Sequence, residues 1–226
     1  MQACPVYADG MKLYNYFRSS AAFRVRIALG LKGLDYQYVP VHIARGEHHQ
    51  PDYAARSAGQ LVPLLETDSL QLSQSMAIIE YLDETHPEPP LLPADAAGRA
   101  RVRALAQGVA CDVHPLNNLR VLKYLVQELR LDDDAKNRWI HHWCLEGLQA
   151  VERELERQPS AQTTGRFCHG DTPTLADCCL VPQIFSARRF GVPLGGLPRT
   201  MAVFDACMAL DAFQQAQPSR CPDAEA

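Results

Sequence analysis

The sequence predicts a small α/β domain followed by an all-α domain, and three observations carry that reading. From Met11 to about Leu92 the apolar period switches repeatedly between two and 3.6 residues; beyond that it stays near 3.6; and between the two lies HPEPPLLP at 86–93, with four prolines in eight residues. Switching periods mark strands interleaved with helices, and a sustained 3.6 period marks a helical bundle. A proline cluster can continue neither a helix nor a sheet interior. The expected organisation is an N-terminal extension over 1–10, an α/β domain over 11–86, a linker over 87–95 and a helical domain over 96–226.

Met11 to Phe17 reads as the first strand, with Leu13 alternating against aromatic and polar neighbours. A helix follows: Ala22, Val25, Ala28 and Leu29 form its apolar face, Arg24, Arg26 and Lys32 lie on the other, and Gly33 ends it. Tyr36 to Val41 reads as a second strand, then Leu61 to Thr67 and Leu70 to Leu72 as a third and fourth around the Asp68-Ser69 turn. Ile78, Ile79 and Leu82 give the next helix its buried face. Past the linker, Val102, Leu105, Val109, Val113 and Leu116 recur at helical spacing, as do Trp139, Trp143, Leu148, Val151 and Leu155. Thr174-Leu175-Ala176-Asp177 has the spacing of a capping box, a structural device at a helix start.

Composition narrows the function classes. A hydrophobic content of 47% and a charged content of 21% are those of an ordinary globular protein, and the formal net charge of -4 favours neither nucleic acid nor an anionic membrane as a partner. An anionic ligand must therefore meet local positive charge. The eight cysteines form no metal-type CxxC pairs and read as reduced cytosolic thiols, the adjacent Cys178-Cys179 as buried hydrophobes with a redox role as the alternative. The eight histidines form no HxH or HExxH pattern, so no metal is expected. The leading ten residues lack the basic start and apolar run of a signal peptide, and no window reaches the roughly 18 apolar residues of a bilayer span. A cytoplasmic location is expected.

Several positions combine helix ends with polar side chains. Arg18-Ser19-Ser20 falls between the first strand and first helix, where unpaired amides stabilise a phosphate, carboxylate or thiolate; a plain helix cap explains the serines equally. Val62-Pro63 precedes the third strand, where a cis bond would turn the Val62 backbone outward to pair with an extended peptide; a strand-initiating proline is the alternative. Gln74-Ser75 opens the next helix and suits a carboxylate, a cap or both. In the helical domain His114-Pro115 breaks a helix near Asn117-Asn118, and Arg188-Arg189 either sits in solvent or grips a carboxylate.

YFRSSAAFRVRIALGLKG at 16–33, QLVPLL at 60–65, SQSMAIIEYLDETHP at 73–87, CDVHPLNNLRVLKYL at 111–125 and GDTPTLADCCLVPQIFSARRFGV at 170–192 together resemble the zeta glutathione transferases, from Met11 to about Pro222. The resemblance implies a glutathione transferase fold, with a thioredoxin-like N-terminal domain and an all-α C-terminal domain, a homodimer, and glutathione as cofactor. It implies that Ser19 contacts the glutathione thiolate, that Val62 before a cis-proline pairs with the cysteinyl backbone, and that Gln74 and Ser75 hold the γ-glutamyl carboxylate. Ser20 and Gln60 match further cofactor contacts; Arg18, His114, Asn118 and Arg189 match positions lining the active site, the arginines toward substrate carboxylates.

The implied activity is glutathione-dependent cis–trans isomerisation of maleylacetoacetate to fumarylacetoacetate, with maleylpyruvate as an alternative substrate and conjugation of small electrophilic acids as an alternative reaction. One departure bears on chemistry. The family pattern Ser-Ser-Cys-x-Trp here has Ala21 and Phe23 at its third and fifth positions, so the attacking sulfur is expected from glutathione and not from the protein.

Overall fold

A computed structural model describes residues 10–157 and 164–225, so most of the extension read over 1–10 lies outside the described residues. The described chain separates into two units. One runs up to Pro89 and also includes the segment from Asp211; the other runs from Pro90 to Leu210.

The first unit is a four-stranded sheet with helices. It contains β1 (Lys12–Asn15), α1 (Ser20–Leu31), β2 (Gln37–Pro40), α2 (Pro51–Ala54), β3 (Leu64–Glu66), β4 (Gln71–Ser73) and α3 (Ser75–Thr85). The sheet order is β2-β1-β3-β4, with β1 parallel to β2 and antiparallel to β3, and β3 antiparallel to β4. The parallel pair requires a crossover, which α1 supplies; the tight reversal between β3 and β4 needs only the turn closed by Thr67 N–H to Leu70 O at 2.9 Å. On β1, Leu13 and Asn15 face inward and are wholly buried.

The expected polar face of α1 does not exist as a solvent face. Arg24, Arg26 and Lys32 are buried along with the apolar residues, because α1 packs against α3 on one side and against α9 (Asp211–Gln215) on another. Such cations persist in the interior only where acceptors surround them. Arg26 donates to Asn15 Oδ1 at 3.0 Å, Phe17 O at 3.1 Å and Ala216 O at 3.0 Å. Lys32 Nζ donates to His86 O at 2.6 Å and Pro89 O at 2.9 Å and pairs with Asp83 at 2.8 Å.

This packing corrects the expected extent of the helical domain, 96–226. The segment from Asp211 joins the first unit, where Cys221 enters the cluster of Tyr16, Phe17, Val41, Tyr53, Val62 and Leu64. An amphipathic helix looks the same in sequence whichever core receives it, so periodicity could not assign α9.

The second unit comprises α4 (Ala96–Gln107), a π-helical turn (Gly108–Val113), a 3-10 turn (His114–Asn117), α5 (Leu119–Gln127), α6 (Asp133–Glu156), α7 (Leu175–Arg189) and α8 (Pro198–Met208). The continuous periodicity from Val102 to Leu116 thus spans three backbone geometries, ending at the turn that holds Pro115. Against the π turn packs α6, and a Cβ at Gly147 would come within 2.0 Å of Val113. The capping box at Thr174 and Asp177 forms, with the wholly buried Asp177 carboxylate accepting from Thr174 N–H at 2.7 Å and from Cys168 N–H at 2.9 Å. No described helix is long and apolar enough to cross a membrane.

Candidate functional site

The sheet register gathers the N-terminal candidates. Tyr14 pairs with Leu64, Leu64 pairs with Ser73, and Asn15 pairs with Pro40. The end of β1, the start of β3 and the end of β4 therefore lie at one edge of the sheet. From that edge project the turn carrying Arg18 and Ser19, the Val62-Pro63 step, and Gln74 with Ser75.

Ser19 is the N-cap of α1, and its Oγ accepts from Ala22 N–H at 3.2 Å. A hydroxyl accepting in this way retains its own hydrogen for donation, so capping and ligand binding coexist at this position. Ser20 begins the helix and is half-buried, at the end where the helix dipole is positive. Arg18 is exposed, with its guanidinium 4.9 Å above the Phe17 ring.

The Val62-Pro63 bond is cis. Upstream, Tyr53 donates to Leu61 O at 2.6 Å and Ser57 exchanges bonds with Leu61 at 3.3 and 3.4 Å, which fixes the loop that delivers Val62. Burial pushes the Tyr53 hydroxyl up to about 12, the Ser57 bond opposing it, so it stays a donor at neutral pH. Among the described residues no hydrogen bond engages the Val62 amide or carbonyl. An unpaired peptide unit beside a strand is a place for a peptide-like ligand to add itself.

Gln60 and Gln74 both have positive φ, 49° and 71°. Non-glycine residues rarely occupy that region, and where they do the strain often accompanies ligand sites. Gln60 donates its N–H to Ser57 O at 2.8 Å, and its Oε1 lies 2.6 Å from His49 Nδ1. Gln74 is exposed at the start of α3, while Ser75 is buried and accepts from Arg24 Nη1 at 3.1 Å.

In the second unit, His114 opens the 3-10 turn and is half-buried. Asn118 caps α5, its Oδ1 accepting from Arg120 N–H at 3.1 Å, which leaves its amide hydrogens for other partners. Arg189 stands on the last turn of α7, exposed, with its guanidinium 4.6 Å above the Phe190 ring; Arg188 stacks on Phe204 at 4.3 Å. Arg18, Ser19, Ser20, Gln60, Val62, Gln74 and Ser75 thus share the first unit, while His114, Asn118 and Arg189 occupy the second.

Two contributors escaped the sequence reading. Arg24 behind Ser75 resembled a surface cation, and only its alternation with wholly apolar neighbours on α1 hinted at burial. His49 beside Gln60 ends a single 3-10 turn (Glu47–His49), too short to leave a periodic signal in the sequence.

The donors of the first unit fit glutathione: two helix N-termini for anions, a serine hydroxyl with a hydrogen to give to sulfur, and an unpaired peptide unit for its cysteinyl backbone. Residues 9–84 match the family model of the glutathione S-transferase N-terminal domain, and residues 137–210 match that of the glutathione S-transferase C-terminal domain. The chain is 51% identical over 213 residues to a maleylpyruvate isomerase of a Ralstonia species, covering 94% of this chain and 99% of that one. A solved holo structure of maleylpyruvate isomerase, described as a zeta-class bacterial glutathione S-transferase, superposes with a TM-score of 0.91 at 50% identity, over 95% of this chain and all of the other. A maleylacetoacetate isomerase from Methylobacterium extorquens AM1, solved with malonate and glutathione bound, also gives 0.91, at 40% identity and 95% and 100% coverage.

Proposed function

Since this chain belongs to the glutathione S-transferase family, we propose that it is a glutathione-dependent cis–trans isomerase converting maleylacetoacetate to fumarylacetoacetate. The observation that carries the reading is the convergence of Ser19, Val62 and the Gln74-Ser75 helix start on one edge of the sheet.

A cis double bond conjugated to a ketone isomerises readily only when it becomes transiently single. Bound glutathione supplies the thiolate for that, which adds to the alkene and leaves again after rotation. The Ser19 hydroxyl donates to the sulfur and, with the α1 dipole, favours its ionised form. Ser20 adds a hydroxyl at the same helix start. Gln74 and Ser75 take the γ-glutamyl carboxylate at the N-terminus of α3, Gln60 supports the neighbouring backbone, and Val62 pairs with the cysteinyl unit. His114 and Asn118 are assigned to cofactor binding on the family pattern. Arg18 and Arg189 receive the carboxylates of the maleyl acid, orient it, and offset negative charge developing at the ketone oxygen. With Ala21 and Phe23 in the α1 start, the helix start itself carries no cysteine to act as nucleophile.

The enzyme is read as a cytoplasmic homodimer acting on a small dicarboxylic substrate, with no nucleic-acid or membrane partner. A second substrate, maleylpyruvate, is favoured by the 51% identity to the Ralstonia enzyme. Both acids are incubated with the purified protein, with and without glutathione, and formation of the fumaryl product is followed. Turnover that requires glutathione without consuming it supports the reading, and the larger kcat/KM identifies the substrate. Glutathione-independent turnover, or none with either acid, overturns it; stoichiometric thiol loss would assign conjugation instead.

A further inference from the structure

The turn that carries Arg18 and Ser19 is held at both faces of one peptide residue. The Asp223 carboxylate accepts from Phe17 N–H at 3.2 Å, and Arg26 Nη2 donates to Phe17 O at 3.1 Å. The turn closes on itself through Ser19 N–H to Tyr16 O at 2.9 Å. Asp223 is itself fixed, because its other oxygen accepts a short hydrogen bond from the Tyr38 hydroxyl on β2. Burial, with that bond to Asp223, raises the Tyr38 hydroxyl well above its ordinary value, so it remains a donor. The segment is seated on either side of Asp223: Cys221 is buried with Tyr16 and Phe17, and Glu225 pairs with Arg45 at 2.6 Å and His42 at 3.2 Å.

We propose that Asp223 is a positioning residue for the isomerase: its carboxylate clamps the Phe17 amide and so holds the Ser19 hydroxyl and the Arg18 guanidinium in their working places. This rests on the reading of Ser19 and Arg18 given above. A backbone amide two residues from the sulfur-binding hydroxyl is well placed to act in this way, since small misplacements of a reacting group cost far more in rate than in binding. A segment serving only to cover the core would need apolar contacts such as that of Cys221, and no carboxylate aimed at that particular amide.

The test compares full-length wild type, Asp223→Ala, Asp223→Asn and Glu225→Ala. The asparagine oxygen can still accept from Phe17 N–H while its amide group donates to the Tyr38 oxygen. Hydrogen exchange over residues 16–20, read without substrate, is expected to be slow in wild type and Asp223→Asn and fast in Asp223→Ala. In turnover, Asp223→Ala is expected to lose kcat by about tenfold or more with KM for the maleyl acid within about threefold, while Asp223→Asn and Glu225→Ala stay near wild type. Asp223→Ser, too short to reach the amide, replaces the alanine variant should that one not fold. Equal exchange in wild type and Asp223→Ala overturns the clamp, as does an asparagine variant as impaired as the alanine one. A wild type that shows slow exchange but no turnover counts against the isomerase reading instead.

Discussion

Arg24 reaches from the interior of α1 to donate to the Ser75 hydroxyl, 3.1 Å away, so a buried bond joins α1 to the first residue of α3. The two helices whose N-termini are assigned to glutathione are thereby fixed to each other. Ser75→Ala removes both the hydroxyl assigned to the γ-glutamyl carboxylate and the acceptor for Arg24. Its expected effect is a rise of about tenfold in the dissociation constant for glutathione by titration calorimetry, together with a loss of about 1–3 kcal/mol in unfolding free energy. Unchanged affinity would remove Ser75 from the cofactor site.

Ser19 caps α1 and is proposed to donate to the glutathione sulfur, and the two roles are separable. The Oγ bond from Ala22 N–H makes it a helix cap, and loss of that cap in Ser19→Ala costs about 1 kcal/mol of stability. The lost donation to sulfur should show separately, as a fall in kcat of about a hundredfold and a rise of about one unit in the pH at which bound glutathione becomes a thiolate. Thiolate absorbance measured against pH reads the second effect directly. A variant that is destabilised but ionises glutathione normally would leave Ser19 a cap alone.

Gln74 adopts φ 71° and ψ 112°, a region costly for any side chain but open to glycine. Gln74→Gly is therefore expected to raise unfolding free energy by about 0.5–1 kcal/mol while weakening glutathione binding. Opposite signs in the two measurements would show that strain is maintained for ligand contact. A destabilised glycine variant would show that the side chain stabilises the fold in some other way.

How much of this was legible beforehand divides along physical lines. Strand positions, the break at His114-Pro115 and the Thr174 capping box follow from local patterns, and local patterns survive into the structure. The burial of Arg24, Arg26 and Lys32 does not follow, because whether a cation is solvated depends on which distant carbonyls surround it. The seating of Asp223 on Phe17, across 206 positions of sequence separation, leaves no periodic trace either. Of the candidate site, the helix-start serines were visible as possibilities; their partners Arg24 and Asp223 were not.

Cysteine reactivity offers a check on the described cores. Burial pushes the Cys144 thiol up to about 11, and burial with the Asp177 charge raises Cys168 and Cys207. Cys178, Cys179 and Cys221 are also buried, and among the described residues Cys111 is the exposed thiol. Brief alkylation of the native protein followed by peptide mass spectrometry should label Cys111 ahead of these six, and denaturation should equalise them. Early labelling of Cys221 would mean that the C-terminal segment leaves its seat.

Acid stability should depend on Glu66. Its carboxylate lies on β3 directly across from Lys12 on β1 and Gln71 on β4, bonded to Lys12 at 3.0 Å, Gln71 at 2.8 Å and Arg56 at 2.8 Å. Burial pushes the carboxyl up, but the bonds from Lys12 and Gln71 and the charges of Lys12 and Arg56 outweigh it and hold the group below the usual carboxylate range. A carboxyl depressed in the folded state contributes stability that is fully present above its unfolded value and is lost as pH falls through the folded one. Glu66→Gln should therefore be less stable than wild type at neutral pH, and the gap should narrow as pH falls below about 4. Lys12 and Arg56 are partly exposed, so added salt should shrink the neutral-pH gap as well. Thermal denaturation of both proteins across this range measures it: a gap that stays constant with pH would mean that the carboxylate's charge contributes nothing and that packing alone accounts for the difference.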